Sequence, residues 1–271
     1  MIFVTGYGQM CNNILQFGHV YAWGRNHGVR VIGLRFCYKY RYFAAGKHRG
    51  YHFLTYLLAK YGARLGCIRK VSFDQPSSMS PDAAHLLLHS RFVMLEGWYM
   101  RDYDAFLQRR EEIARLFSFK DALRRKTDAA LPPLPPHTVR LGVHIRRGDY
   151  RRWMNGKYFF SDEDYIRVIR SFVRNLTLPA LQIILVGNDP SIRADTYRKA
   201  LSSDNIYLMR GNAGEDLYAL STCHYIMGPP STFSLVAAFY HDAPLYWIMD
   251  KTLEVEPASF RKFDSLFRHI L

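Results

Sequence analysis

Residues 132–136 have the sequence PPLPP, and this segment limits the possible folds more than any other. Proline lacks a backbone N–H and its ring fixes φ, so the segment cannot lie inside a helix and forms a stiff, extended stretch. A β-prone pattern begins directly after it, at Val139. We therefore expect a domain boundary here, with a first domain at 1–135 and a second at 136–271. A last helix at about 259–270 is expected to fold back on the first domain.

Strands and helices are predicted to alternate on both sides of this segment. The predicted strands are 1–5, 29–35, 139–146, 181–186, 206–209 and 225–227, and the predicted helices are 11–27, 104–117, 162–175, 192–201, 215–222 and 231–240. Ser161 is a candidate N-cap of the helix at 162–175. This alternation predicts the α/β class, with parallel sheets covered on both faces.

The composition fits two globular domains. The 271 residues are 49% apolar and 22% charged, which excludes a disordered chain. No run approaches the roughly 18 apolar residues that a membrane helix needs. The N-terminus has no positively charged segment and no cleavage site, so we expect no signal peptide and a cytoplasmic location. The four cysteines, at 11, 37, 67 and 223, form no Cys-x-x-Cys pair, which favours reduced thiols.

The charged run HIRRGDY at 144–150 lies at the carboxyl end of a predicted strand. Ligands of open α/β sheets bind at the carboxyl ends of strands, so this run indicates an anion site. In an extended strand His144 and Arg146 share one face and Arg147 points to the other. One arginine can present a bidentate guanidinium to a pyrophosphate, and the other can hold Asp149. The alternative is a solvated loop of arginine and aspartate.

Two further segments could bind an anion or a base. The sequence STFS at 231–234 follows two prolines and opens a predicted helix, where hydroxyls and free amides suit a phosphate, although an ordinary helix cap is the alternative. Glu215 and Asp216 open the preceding helix. A carboxylate there can accept two N–H bonds from guanine, and helix capping again competes with ligand recognition.

Two turns are weaker candidates. Asp189 follows a buried strand at the same predicted edge, where it either lines the site or only makes the turn. Gly6 and Gly8 precede Asn12 between the first strand and the first helix, where backbone N–H groups point at a ligand in many α/β proteins. A plain tight turn explains the glycines equally well.

The net charge is +14 at pH 7, from 37 Lys and Arg against 23 Asp and Glu. The expected partners are therefore anionic: a phosphorylated nucleotide, with peripheral contact to the anionic cytoplasmic face of a membrane. The basic residues are spread along the chain and no nucleic-acid motif occurs, so we expect no nucleic-acid partner. A basic nucleic-acid-binding protein remains the alternative from another class. The chain has no His-Glu-x-x-His motif and no Asp-x-Asp pair of the kind that holds a metal on a nucleotide sugar, so no metal site is expected.

Taken in order, these segments resemble the α-1,2-fucosyltransferases and, more distantly, the α-1,6- and protein O-fucosyltransferases that share a GDP-fucose donor site. The resemblance covers most of the chain. It rests on NNILQF at 12–17, LEGWY at 95–99, FSFK at 117–120, HIRRGDY at 144–150, EDLYALSTC at 215–223 and STFS at 231–234. The chain departs from the family pattern at 9–11, 187–189 and 235–236.

The resemblance implies a GT-B architecture of two Rossmann-like domains, with the donor held mainly by the second. It implies an inverting, metal-independent enzyme that moves L-fucose from GDP-β-L-fucose to a sugar hydroxyl. The acceptor would be an oligosaccharide or glycoconjugate, linked α-1,2 to galactose during surface polysaccharide or glycan synthesis. No cofactor is expected beyond GDP-fucose as donor substrate, and another GDP-sugar is the alternative donor.

The resemblance also implies roles for single residues. Arg146 would contact the β-phosphate, His144 and Asp216 the guanine end, and residues 231–234 the pyrophosphate, while Asp149 would brace the arginines. The expected catalytic group is His144, Arg146 and Asp149. The expected donor contacts are Asn12, Arg146, Arg147, Asp189, Asp216, Ser231, Thr232, Phe233 and Ser234. The candidate general bases are Glu96, Asp102 and His19, in segments on the acceptor side.

Overall fold

The structure, a computed structural model that describes residues 1–76, 79–177 and 180–270, contains two compact units, Met1–Lys120 and Asp121–Leu271. The strands of the first unit are β1 (Ile2–Val4), β2 (Val31–Gly33), β3 (Arg69–Phe73) and β4 (Val93–Gly97). Its helices are α1 (Met10–Asn26), α2 (Leu34–Tyr38), α3 (Phe53–Arg64), α4 (Pro81–His89), α5 (Tyr103–Gln108) and α6 (Arg110–Leu116). The strands form a parallel sheet in the order β2-β1-β4-β3.

The second unit has a larger parallel sheet. Its strands are β5 (Thr138–Ile145), β6 (Ala180–Gly187), β7 (Ile206–Leu208), β8 (Tyr225–Gly228) and β9 (Leu245–Trp247). Its helices are α7 (Asp121–Ala130), α8 (Asp162–Asn175), α9 (Ala194–Leu201), α10 (Ala213–Ser221), α11 (Thr232–His241) and α12 (Phe263–Phe267). The strand order is β7-β6-β5-β8-β9, and all neighbouring pairs are parallel. The predicted α/β class with parallel sheets is confirmed.

Each sheet has one point at which the direction of strand addition reverses. In the second unit the chain runs from β5 outward to β7 and then returns to the other side of β5 with β8. In the first unit the corresponding reversal lies between β1 and β4. At such a point the loops after the two strands separate and leave a crevice at their carboxyl ends, where open α/β sheets bind ligands.

The local sequence explains the ends and the buried faces of the helices beside these crevices. Most of α1 is buried, because apolar residues surround it, and Gly28 follows its end with φ of +68°. The predicted helix at 162–175 is confirmed as α8. Its start is fixed by a capping box in which the Ser161 hydroxyl accepts the Asp164 N–H and the Asp164 carboxylate accepts the Ser161 N–H.

Two predictions in the first unit were wrong in extent. The strand predicted at 29–35 ends at Gly33, because Phe36 turns inward onto Phe117 at a centroid distance of 4.6 Å and the chain there forms α2. The helix predicted at 104–117 is divided into α5 and α6 at Arg109. The guanidinium of Arg109 donates to Asn26 Oδ1 at 3.0 Å and 2.9 Å, which anchors the break.

The second unit begins earlier than the predicted boundary at 135/136. Helix α7 precedes the PPLPP segment and packs against α10 of the same unit, where the Lys126 ammonium lies 2.6 Å from the Glu215 carboxylate and the Tyr218 hydroxyl donates to Asp128 at 2.9 Å. The proline segment therefore connects two elements of one unit. A run of prolines sets backbone stiffness and does not by itself mark a domain boundary.

The last helix is shorter than the prediction at 259–270. Arg261 exchanges two backbone hydrogen bonds with Leu245 of β9, at 2.8 Å and 2.9 Å, so the chain is extended there and α12 begins only at Phe263. Helix α12 packs against α11 of its own unit through Phe263 and Phe239, whose ring centroids lie 5.1 Å apart. Among the helices of the described ranges, none combines the length and apolar character needed to cross a membrane.

Candidate functional site

The crevice between β5 and β8 brings two of the predicted segments together. The end of β5 and the loop after it carry residues 144–150, and α11 begins just after β8 with residues 231–234. The His144 and Phe233 rings lie 5.0 Å apart, and the Tyr150 hydroxyl donates to the Pro230 carbonyl. The anion site and the helix N-terminus predicted from separate motifs are thus neighbours at one sheet edge.

His144 is buried at this edge, and its Nδ1 atom has no hydrogen-bond partner among the described residues. Burial lowers the pKa of the imidazole to about 3, and the nearby Arg146 charge adds to this shift. The ring is therefore neutral at physiological pH. A neutral imidazole has one donor and one acceptor nitrogen, and leaving either one buried and unpaired is costly, so the ring is suited to a polar ligand atom.

Arg146 is held in one plane by its neighbours. Its Nε and Nη2 atoms donate to the two carboxylate oxygens of Asp149 at 2.9 Å and 2.8 Å, and its guanidinium carbon lies 5.4 Å from the Tyr150 ring centroid. The hydrogen bond from Arg146 holds the pKa of Asp149 below its usual value. A guanidinium fixed in this way can meet an anion without first losing rotamer freedom.

Arg147 has different partners. Its guanidinium is buried and lies 2.5 Å from Asp162 Oδ1 and 3.6 Å from Asp189 Oδ2. Burial opposes the charge, but the hydrogen bond that the guanidinium donates to Asp162 raises the pKa of Arg147 above its usual value. Asp149 thus contacts Arg146, the arginine expected on the pyrophosphate. The expectation that the other arginine holds Asp149 is wrong, because Arg147 is braced by Asp162 and Asp189. Sequence reasoning could not choose between the two arginines, because Asp162 is distant in the chain.

Asp189 belongs to the turn after β6. Its Oδ1 accepts the Ser191 N–H at 2.9 Å and the Ser191 hydroxyl at 2.7 Å, which lowers the pKa of the carboxyl, while Oδ2 faces Arg147. Arg210, after β7, donates to the Ile192 carbonyl at 2.7 Å and ties the two loops together. Both oxygens of Asp189 thus have protein partners, and its evident role is to hold the turn and Arg147.

Asp216 lies near the start of α10 but is not its cap. Asn212 and Glu215 form the capping box: Asn212 Oδ1 accepts the Glu215 N–H at 3.1 Å, and Glu215 Oε2 accepts the Asn212 N–H at 3.0 Å. Asp216 Oδ1 accepts the Gly211 N–H at 3.1 Å. Burial, reinforced by the Glu215 charge, raises the pKa of Asp216 to about 6. Of the two adjacent carboxylates, Asp216 is therefore the one that helix capping does not explain.

The start of α11 divides the predicted phosphate residues into two groups. The Ser231 hydroxyl accepts the Phe233 N–H at 3.2 Å and caps the helix. Ser234 is fully buried, and its hydroxyl donates to the Ser231 carbonyl at 3.1 Å and accepts from Trp247 Nε1 at 3.3 Å. Ser234 thus shapes the helix start from inside. Ser231, Thr232 and Phe233 are half-buried and form its outer surface.

In the first unit, the glycine turn after β1 is held by an asparagine that the sequence did not single out. Gly8 has φ of +57° and lies against the side chain of Asn12, the predicted donor contact. The neighbouring Asn13 is buried, and its Nδ2 donates to the carbonyl oxygens of Tyr7 at 2.9 Å and Gln9 at 2.6 Å. Asn13 therefore fixes the turn, and Asn12 lies beside it.

An aromatic cluster lies at the reversal point of the first unit. The Tyr7 ring, 49% exposed, stacks on the Trp98 ring with centroids 5.5 Å apart, and the Arg101 guanidinium carbon lies 3.8 Å from the Trp98 centroid. Burial lowers the pKa of Arg101 to about 10, and its Nη2 atom has no hydrogen-bond partner among the described residues. Trp98 lies in the LEGWY segment at 95–99, but the sequence did not indicate that Tyr7 packs on it.

The three candidate bases all have structural roles. The Glu96 carboxylate lies 3.2 Å from the Lys70 ammonium. Asp102 Oδ1 accepts the Ala105 N–H at 3.0 Å and caps α5. His19 is buried, which lowers its pKa to about 3, and its Nδ1 accepts the Asp102 N–H at 3.1 Å. The geometry does not single out one of them as a base.

Potential metal ligands are dispersed. In the described ranges there is no group of three or more histidine, cysteine, aspartate or glutamate side chains placed to hold an ion. The Asp-x-Asp spacings at 102/104 and 162/164 both occur at helix starts, where Asp102 and Asp164 serve as capping residues. Cys11, Cys37 and Cys223 are buried and Cys67 is exposed, and none of them is in a disulfide.

Comparison with known families identifies the family of this chain. Residues 94–268 match the model of glycosyl transferase family 11, which is more than half of the sequence. The chain belongs to this family. The match spans the end of the first unit and almost all of the second, and it includes HIRRGDY and STFS.

A curated relative supports the same family assignment. Galactoside alpha-(1,2)-fucosyltransferase 2 of Oryctolagus cuniculus is 25% identical over 175 residues, 61% of this chain and 49% of that protein. The chain thus spans about half the length of the curated relative that it matches.

Solved structures share the architecture. A mutant of Arabidopsis thaliana FUT1 in complex with GDP superimposes with a TM-score of 0.62 at 11% identity, covering 96% of this chain and 73% of that one. NodZ α-1,6-fucosyltransferase, from Bradyrhizobium, co-crystallized with GDP gives a TM-score of 0.57 at 12% identity, covering 91% and 94%. POFUT1 in complex with GDP-fucose gives 0.54 at 12%, covering 94% and 96%. At these identities the likeness shows the fold, which is the predicted GT-B type with two Rossmann-like domains.

Proposed function

We propose that this protein is a fucosyltransferase that moves L-fucose from GDP-β-L-fucose to a sugar hydroxyl with inversion and without a metal ion. Membership of glycosyl transferase family 11 supports transfer of a sugar. The matched relative is named a galactoside α-1,2-fucosyltransferase, and the solved structures include complexes with GDP and GDP-fucose. We extend the donor, the galactose acceptor and the α-1,2 linkage to this chain as parts of the proposal, with glycan or surface polysaccharide as product.

The observation that carries the proposal is the arrangement of Arg146 at the β5–β8 crevice. Cleavage of the anomeric C–O bond builds negative charge on the β-phosphate, so fixed cationic or N–H donors must lie where that charge develops. Arg146 is already fixed by Asp149, and the N-terminus of α11 ends at the same edge. Together they supply a guanidinium and helix-end amides for the leaving pyrophosphate.

The guanine base of the donor would be bound by side chains that the protein does not need for helix capping. Asp216 is half-buried beside Gly211 and is not needed as a cap, so its carboxylate can accept the guanine N1–H and N2–H together. His144 is neutral and buried against Phe233, with Nδ1 ready for one hydrogen bond to the donor. We assign these two side chains to nucleotide recognition. Arg147 and Asp189 act behind them by holding the loops.

The acceptor would be bound by the aromatic cluster of the first unit. A sugar ring has apolar C–H faces and neutral hydroxyls, and an exposed aromatic face beside an arginine N–H suits both. Tyr7 supplies the exposed face, and Arg101 supplies a donor that lacks a protein partner. The acceptor hydroxyl would lose its proton during attack, and no residue is assigned as the base.

Mass spectrometry of product mixtures tests the proposal. The protein is incubated with GDP-fucose, GDP-mannose or UDP-galactose and with a set of oligosaccharides that end in galactose or in glucose. We expect the mass of one deoxyhexose to be added from GDP-fucose to galactose-terminated acceptors, in the presence of EDTA as in its absence.

Each alternative gives a different product pattern. Transfer from GDP-mannose in preference to GDP-fucose would keep the site and change the donor sugar. Transfer only to glucose-terminated acceptors would contradict the galactose assignment. Absence of transfer from any GDP-sugar, by protein that GDP stabilises, would contradict the enzyme activity itself.

A further inference from the structure

Helix α3 presents an apolar face to solvent. Leu54, Leu58 and Tyr61 follow the spacing i, i+4 and i+7, which places them in one stripe along the helix. Leu65, the C-cap residue at i+11, continues this stripe, and Phe53 lies beside it. These five side chains, which we call the α3 face, are between 51% and 76% exposed. A soluble surface normally has scattered apolar side chains, whereas a continuous stripe marks a binding surface.

The opposite side of α3 is the one that packs on the first unit. Ala59 is buried, and the Tyr56 ring lies 4.2 Å from the Tyr38 ring of α2. Gly62 has room only for a hydrogen, because an added Cβ would lie 2.8 Å from Ile68. The fold has thus already buried one side of the helix, and the α3 face is the side left over.

The α3 face lies in the most basic part of the chain. The first 73 residues contain eleven Lys and Arg and no Asp or Glu, so this segment carries most of the net charge of +14. Among these cations, Arg25 and Lys70 are paired with carboxylates from later in the chain. Lys60 and Arg64 are exposed and lie on α3 itself. A partner that binds the α3 face must therefore have both apolar groups and negative charge.

We propose that the α3 face docks on the surface of an anionic lipid bilayer. An interfacial helix buries Leu, Phe and Tyr side chains at the boundary between headgroups and acyl chains, while flanking Lys and Arg bind lipid phosphates. Helix α3 has twelve residues and spans about 18 Å, enough to lie in the interface and too short to cross it. A nucleic acid would use the charge but not the leucine stripe.

Vesicle co-sedimentation tests this inference without any enzyme assay. The full chain is mixed with vesicles of phosphatidylcholine alone or of phosphatidylcholine with 30% phosphatidylglycerol, a share on the order of that in anionic membranes. We expect binding to the anionic vesicles that weakens as salt rises from about 0.05 M to 0.5 M, because the Debye length shortens. Binding to the neutral vesicles should be at least tenfold weaker.

Two sets of variants separate the apolar and the charged contributions. Leu54→Gln/Leu58→Gln/Leu65→Gln should lower the anionic-vesicle partition coefficient at least tenfold, since each leucine is lost from the interface. Lys60→Gln/Arg64→Gln should lower it roughly 20- to 30-fold, at about fivefold per charge. Glutamine keeps the helix propensity of leucine and lysine, and exposed positions contribute little to stability, so melting temperatures should stay close to that of the parent protein.

Matched controls carry the same changes elsewhere. The exposed leucines outside α3 are replaced in Leu88→Gln/Leu134→Gln/Leu253→Gln, and exposed cations of the second unit in Arg125→Gln/Lys199→Gln. These controls should bind vesicles within about twofold of the parent protein. Equal losses in the controls and in the α3 variants would overturn the assignment of the binding surface.

Other occupants give other outcomes, each of which overturns the proposal. If the protein binds no vesicles but dimerises in sedimentation velocity runs, and the leucine variant is monomeric, the α3 face is covered by a second copy. If it binds duplex DNA with a steep salt dependence that the leucine variant does not alter, while ignoring vesicles, the partner is a nucleic acid. Absence of binding in all three assays would leave the face without the proposed function.

Discussion

The two sheets reverse direction in the same way, yet the crevices at their reversal points differ in chemistry. Between β5 and β8, Arg146 is locked by Asp149 and His144 is held neutral by burial. Between β1 and β4, Arg101 has an aromatic partner, Trp98, and Tyr7 is exposed above it. The sheet edge of the second unit holds the Arg146 guanidinium in a fixed position. The sheet edge of the first unit presents aromatic ring faces and an N–H donor of Arg101.

Under the proposed function, this difference matches two substrates of opposite character. A pyrophosphate needs cations that do not move while charge develops, which is what paired arginines provide. A neutral sugar needs apolar surface and single hydrogen bonds, which an aromatic stack beside an arginine provides. The comparison predicts that substitutions at the second unit act on the donor and on catalysis, and that substitutions at the first act on the acceptor.

The largest effect is expected from Arg146→Lys. Lysine keeps the charge but loses the planar two-point geometry, so it can hold ground-state GDP without matching the charge that grows as the glycosidic bond breaks. We expect kcat to fall by about 10² to 10³, with GDP affinity changed much less. Steady-state kinetics with GDP-fucose, beside GDP titration by calorimetry, measures both.

Arg147→Lys is the control for this prediction. Arg147 is buried among Asp162 and Asp189, so its shortening should lower the free energy of unfolding by about 1 to 3 kcal/mol and leave kcat near that of the parent protein below the melting temperature. A near-normal kcat in Arg146→Lys, together with a large loss in Arg147→Lys, would mean that the roles of the two arginines are exchanged.

Asp216→Asn should act on base selectivity. The carboxylate can accept two N–H bonds from guanine and an amide presents one acceptor, so one buried donor would remain unpaired at a cost of about 1 to 3 kcal/mol. GDP affinity should fall by this amount, and UDP affinity should change little. Equal losses for GDP and UDP would show that Asp216 only supports the loop at Gly211.

The pH dependence of nucleotide affinity is a second test of the role assigned to Asp216. Burial raises the pKa of Asp216 to about 6, so the carboxylate is ionised at pH 7.5 and largely protonated at pH 5. The ratio of GDP to UDP affinity should therefore fall by up to about tenfold between these pH values, because one pKa unit corresponds to a factor of ten. Taking the ratio removes the titration of the phosphates, which both nucleotides share. In Asp216→Asn the ratio should be flat.

The smallest effect is expected from Tyr7→Ala at the first unit. Removal of an exposed stacking ring should raise the acceptor KM by about 2- to 10-fold, the range of a single aromatic contact, with GDP affinity unchanged. Tyr7→Phe keeps the ring and should behave like the parent protein. If Tyr7→Ala weakens GDP as much as it weakens the acceptor, the division of labour between the two crevices is wrong.

Much of the fold followed from periodicity and caps. Helix α8 and its Ser161 cap were predicted to the residue, because a capping box is a local pattern. The ends of β2 and α12 were missed because long-range contacts set them. Phe36 turns inward onto Phe117, and Arg261 pairs with Leu245. The local sequence does not indicate which distant residues these side chains and backbone groups will contact.

The candidate site shows the same division. The segments after β5 and β8 were each predicted to bind an anion from their local sequence, and the structure shows that they meet at one edge. The partners of the two arginines were not predictable, because Asp162 becomes available to Arg147 only through the position of α8. Asn212 and Tyr7 were overlooked for a related reason. Asparagine is common in turns and tyrosine is common in this chain, so neither residue stands out until α10 and Trp98 are in place.

Thermal melting with nucleotides tests the central claim most directly, namely that the second unit binds GDP through side chains and helix-end amides alone. Ligand binding to the folded state at about 100 times the Kd adds roughly 2.7 kcal/mol to its stability. We predict that GDP raises the Tm by several degrees, more than UDP does, and that EDTA leaves this rise unchanged. No rise with GDP, or a rise that EDTA abolishes, would contradict the account.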